Sequence, residues 1–68
     1  MNIDIRSYIK NNFKQASNND IRSSIEESIK KGDELTLPGL GVLFEILWTN
    51  SSNEEQENIL NNLSKNLQ

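Results

Sequence analysis

The chain has no cysteine and no histidine. Disulfides, zinc fingers and every Cys- or His-based nucleophile scheme are therefore excluded. A chain without cysteine also suits a reducing compartment. Proline occurs once, at Pro38, and there are only three glycines and four aromatic residues. Long apolar runs are missing too. No stretch reaches the ~18 apolar residues of a membrane span. The longest uncharged apolar run, Leu35 to Phe44, is broken by Thr36, Pro38 and two glycines. Met1 to Lys14 carries Asp4, Arg6, Lys10 and Lys14 and lacks the apolar stretch of a signal peptide. The expectation is a cytoplasmic protein with no membrane partner.

What is present is short and polar. The 68 residues allow one domain, and a chain of this size hides only about 60% of its unfolded surface. Hydrophobic residues make up 34%, a low share that pulls toward disorder. Their placement pulls the other way, because the eight Ile and eight Leu fall mostly at helical spacing. Net charge is −3 and unevenly spread. Residues 1–31 carry six cations against four carboxylates, net +2, and residues 32–68 carry Lys65 against six carboxylates, net −5.

Four segments emerge. The first runs from about Asp4 to Gln15, with Ile5, Tyr8, Ile9 and Phe13 on one helical face. Asp4 in its first turn and Lys14 in its last both suit the helix dipole. The second runs from about Asn18 to Lys31. Ser17 is its N-cap, Asp20 the capping-box partner, Ile21, Ile25 and Ile29 its seam, and Gly32 its left-handed stop. Asp33 to Leu37 reads as a connector or short extended piece, since the residue before a proline avoids helical geometry. The third segment, Leu40 to Thr49, fits a helix through Leu40, Leu43, Phe44, Leu47 and Trp48. It is apolar almost all round, which predicts a central position with only Glu45 and Thr49 on its wet side. The fourth begins near Ser52, which forms a capping box with Glu55, and carries Ile59, Leu60, Leu63 and Leu67. The expected fold is all-α, a small bundle of four short helices. The alternative is α+β, with residues 35–46 as a strand or hairpin.

Catalysis has little to work with. Asp33 and Glu34 near Lys30 could pair as acid and base, but adjacent charges beside a helix end are usually solvated. Eight serines lack any histidine to activate them. Glu54, Glu55 and Glu57 share one helical turn without the alternating ligands of a calcium loop, and serve the helix dipole instead. The glycines of Pro38-Gly39-Leu40-Gly41 could form an anion cradle ahead of a helix. Without a following Lys-Ser they read as permitting a tight turn and close backbone packing. Arg6, Lys10, Lys14 and Arg22 are the candidate nucleic-acid contacts. A pI near 4.7 disfavours that partner, because phosphate binding asks for a basic domain. Val42, Glu45, Ile46 and Trp48 are the candidate interaction surface, and a homodimer through Leu40–Trp48 would bury what a monomer cannot. No enzyme, metal or cofactor is expected.

Two resemblances bear on function. Residues 29–41, Ile-Lys-Lys-Gly-Asp-Glu-Leu-Thr-Leu-Pro-Gly-Leu-Gly, are similar to the helix-to-strand junction of HU-type DNA-bending proteins, which gives the strand alternative its HU-like N-terminal half. The basic β-arms of those proteins have no counterpart here. The second resemblance spans nearly the whole chain. The block Leu37-Pro38-Gly39-Leu40-Gly41-Val42-Leu43-Phe44-Glu45-Ile46-Leu47-Trp48, followed by a Ser/Asn turn and an acidic helix, resembles the small acid-soluble spore protein I family. The resemblance implies a minor spore protein, made in the forespore and residing in the spore core, without enzymatic activity. It implies distance from the α/β-type spore proteins that coat DNA, whose motifs are absent.

Overall fold

Helices α1, α2 and α4 each begin at a side chain that accepts a backbone hydrogen bond at the N-cap. The computed structural model describes residues 4–68. It contains four α-helices and one 3-10 turn, with no strand among the described residues. Helix α1 spans Ile5–Asn12. Asp4 is its N-cap and not a first-turn residue: the carboxylate accepts from the Ser7 N–H at 3.2 Å and from Ser7 Oγ at 2.8 Å. The helix stops three residues earlier than the sequence suggests, leaving Lys14 in the following turn. Asn11 and Asn12 are weak helix formers, and Ser17 already opens the next helix.

Helix α2 spans Asn18–Lys31. Ser17 Oγ accepts from the Asp20 N–H, and the Asp20 carboxylate accepts from the Ser17 N–H, both at 3.2 Å. Gly32 ends the helix at φ 61°, a left-handed conformation costly to any residue with a Cβ.

Asp33 then caps a 3-10 turn over Glu34–Thr36, accepting from the Leu35 N–H at 2.9 Å. Thr36 Oγ1 donates to the Asp33 carbonyl at 2.7 Å. This is not the extended connector anticipated, and the helix that follows starts earlier than Leu40. Helix α3 spans Leu37–Thr49. Leu37 sits at φ −62°, ψ −41°, helical despite preceding Pro38. The bias against helix before proline is a preference, and the incoming 3-10 turn overrides it. Pro38 itself falls in the first helical turn, where its missing N–H has no partner to lose. Both Gly39 and Gly41 are helical, so Pro38–Gly41 makes no tight turn.

Helix α4 spans Asn53–Leu67. Ser52 Oγ accepts from the Glu55 N–H at 3.1 Å, and Glu55 Oε1 accepts from the Ser52 N–H at 2.8 Å. That second bond, and then the Ser52 hydroxyl, hold the Glu55 carboxyl below the usual carboxylate range.

Packing centres on α3, which lies against α1, α2 and the 3-10 turn, while α4 is joined less extensively. Coverage is incomplete. No described side chain is fully buried. The radius of gyration is 13.4 Å, against about 11 Å for a compact chain of this length. The accessible surface is 6159 Å², against roughly 4,400 Å² for a compact monomer of this mass.

With so little burial, local caps weigh heavily in the stability. Ser17→Ala and Ser52→Ala should each cost about 1 kcal/mol, read by urea denaturation followed by circular dichroism. A Ser52→Ala protein as stable as its parent would show that α4 draws no stability from its cap.

Candidate functional site: the apolar helix α3

Helix α3 is fastened to α1 by one ion pair. Arg6 Nε donates to Glu45 Oε1 at 2.6 Å, and Arg6 Nη2 donates to Glu45 Oε2 at 2.8 Å. This fork-on-fork geometry is the most directional pairing that a carboxylate makes. It joins residues 39 positions apart. The hydrogen bond from Arg6 lowers the Glu45 carboxyl from its ordinary value, and the same bond raises the Arg6 guanidinium. The two side chains are 66% and 45% exposed, so salt and water weaken the pair. Beside it, Ile9 of α1 lies against Gly39, close enough that an added Cβ would be in ordinary contact with it, 3.5 Å from Ile9 Cδ1.

The far end of α3 is closed by side chains instead of a glycine. Asn50 Nδ2 donates to the Ile46 carbonyl at 2.8 Å and Ser51 Oγ to the Leu47 carbonyl at 2.6 Å. Gln56 Nε2, from α4, donates to the Trp48 carbonyl at 2.9 Å. Thr49 Oγ1 adds a bond to the Glu45 carbonyl at 2.9 Å. The polar stretch after Trp48 therefore supplies the donors that a helix C-terminus lacks.

The structure places the twelve-residue block Leu37–Trp48 in one helix. Within it, Val42, Glu45, Ile46 and Trp48 are all half-buried. Val42 and Glu45 border a cleft shared with Asp4, Ile5 and Arg6 of the α1 end. Phe44 and Trp48 stack with ring centroids 6.1 Å apart and planes at 25°. The widest-open large apolar side chains of α3 are Leu37, Leu47 and Phe44, at 58%, 52% and 43% exposure. On α4, Leu60, Leu63 and Leu67 are open as well. Leu37 lies outside both the candidate interaction surface and the candidate homodimer segment Leu40–Trp48, and Leu47 lies within the segment only. The i, i+3, i+7, i+10 series of Leu37, Leu40, Phe44 and Leu47 is the signal that finds them.

The basic residues fare differently. Arg6 is committed to Glu45, while Lys10, Lys14 and Arg22 are exposed. Among the described residues, no cluster of acidic side chains is arranged to hold a metal ion. No helix is long and apolar enough to cross a membrane.

Fold and surface define a class: a small all-helical protein whose most apolar helix stays partly uncovered. Comparison with known proteins identifies the family. The family model of small, acid-soluble spore protein I matches residues 3–67. The chain is 34% identical over 68 residues to the small, acid-soluble spore protein I of Halalkalibacterium halodurans, covering all of both chains. It is 34% identical over 65 residues to that of Geobacillus kaustophilus, covering 96% of this chain and 94% of the relative. Identity to the Shouchella clausii protein is 31% over 67 residues, covering 98% and 97%. No solved structure matches. The chain belongs to the small acid-soluble spore protein I family, and is a spore protein of the minor acid-soluble kind.

The Arg6–Glu45 pair makes stability depend on pH in a defined direction. The folded-state Glu45 pKa lies below that of the unfolded chain, which is ~4.3. Its contribution is therefore complete above that value and fades as the pH falls through the lower folded-state pKa. Asp4, lowered chiefly by the Ser7 hydroxyl, and Glu55 act in the same sense. Glu45→Gln should melt at a lower temperature than the parent at pH 7, with the difference closing in the acid range below ~pH 4. Melting curves at pH 7 and pH 3 read this, and a gap of equal size at both would disprove the ion-pair contribution.

Proposed function

We propose that this chain is a non-catalytic structural or interaction protein of the spore core, acting through the uncovered face of α3. The observation that carries this reading is the exposure of Leu37, Phe44 and Leu47 on the most apolar helix of the molecule. Exposed apolar patches of this kind mark interaction sites on soluble proteins. Support also comes from what the ionisable groups do. The lowered carboxyls of Asp4, Glu45 and Glu55 are each accounted for by a cap or by the Arg6 pair. None is left as an activated group awaiting a substrate. The relatives are spore proteins by name.

Two measurements on spores test the proposal. Fractionation should recover the chain with the core contents, and recovery with the coat would defeat the localisation. Spores carrying Leu47→Glu should germinate and grow out with the timing of spores lacking the chain. A Lys65→Gln control, altered on the polar face of α4, should match the parent. If Leu47→Glu spores matched the parent while the deletion did not, the exposed face would have no part in the function.

A further inference from the structure

We infer that the uncovered face of α3 seats a second copy of the chain, with the two α3 helices crossing about a two-fold axis near Gly41. This rests on the interaction reading above and names the partner. Leu37, Gly41, Phe44 and Trp48 recur at i, i+4, i+7 and i+11, which is one helical face. Leu37 and Phe44 are 58% and 43% exposed, and Gly41 is exposed between them.

Gly41 is the residue that the isolated chain does not explain. Glycine is among the weakest helix formers. Gly32 holds a positive φ, and a Cβ on Gly39 would touch Ile9, but neither is true of Gly41. Its backbone is helical, and a Cβ built there meets nothing within 4 Å. A glycine on an open apolar face permits another backbone to come close.

Charge and area both favour a second copy. The one charged side chain in α3, Glu45, is paired with Arg6 at the edge of this face, in a cleft that Gly41 also borders. Leu37, Gly41, Phe44 and Trp48 are uncharged, and the two charges at their edge neutralise each other, so the face offers little net charge by which a partner of opposite sign could be selected. Uncharged, apolar contacts are the mark of obligate homodimers. The chain exposes roughly 1,800 Å² more than a compact monomer of its mass, and a stable dimer takes about 800 Å² from each partner. The shortfall in burial is ample for the pairing.

Sedimentation equilibrium on the full chain tests this, with circular dichroism on the same samples. The parent should show twice its 7.8 kDa mass, falling to one copy on dilution. Gly41→Ala should hold or raise helix content while weakening the dimer about tenfold, because the added methyl keeps the backbones apart. Leu37→Glu should weaken it by about 30-fold or more. Opposite movement of helicity and association in Gly41→Ala is the signature that a purely internal role for the glycine does not produce. A single-copy mass at every concentration, or a Gly41→Ala dimer as tight as the parent, overturns the inference. Should Leu37→Glu lose its helical signal, Gly41→Ala decides alone. A monomeric parent would leave the spore result for Leu47→Glu untouched, so the two proposals fail separately.

Discussion

Helix α3 needs more cover than the other three helices provide, and the architecture follows from that imbalance. Its thirteen residues include a single charged side chain, Glu45. That carboxylate is where α1 is attached, through Arg6. Around the attachment, Ile9 lies against Gly39, and Val42 and Ile46 find partial shelter. On the other face the supply of covering side chains runs out. A chain of this length has too little surface to hide to close a core on every side, and the exposed Leu37, Phe44 and Leu47 are the result.

Local features were legible in the sequence, and tertiary ones were not. The capping boxes at Ser17–Asp20 and Ser52–Glu55 and the left-handed stop at Gly32 appear where the residue pattern puts them. Each is decided within four residues of chain. The all-α class was legible for the same reason, since Leu40, Leu43, Phe44 and Leu47 carry helical spacing. The start of α3 was misplaced because a local bias at Leu37 lost to the turn arriving from Asp33. Arg6–Glu45 had no sequence signal, as nothing local relates residues 39 apart. Asn50 and Ser51 read as turn residues, and only the structure shows them donating to the carbonyls of α3.

The matching relatives share length as well as sequence with this chain, and the residues of the Leu-Pro-Gly block are those that build α3. Among the basic residues of the first half, Arg6 is spent on holding α3 in place, while Lys10, Lys14 and Arg22 are exposed. Recognition through an apolar helix is more in keeping with this surface than recognition through phosphates, which would need the cations free and gathered.

The openness of the interior has a thermodynamic corollary. The heat capacity gained on unfolding scales with apolar surface newly exposed to water, and much of that surface is already wet in the single chain. Its stability curve should therefore be shallow, with a gradual melt spread over a wide temperature range and a weak response to denaturant. A protein built this way has no sharp temperature at which it fails. It loosens by degrees, and what sharpens the transition is whatever comes to lie on α3.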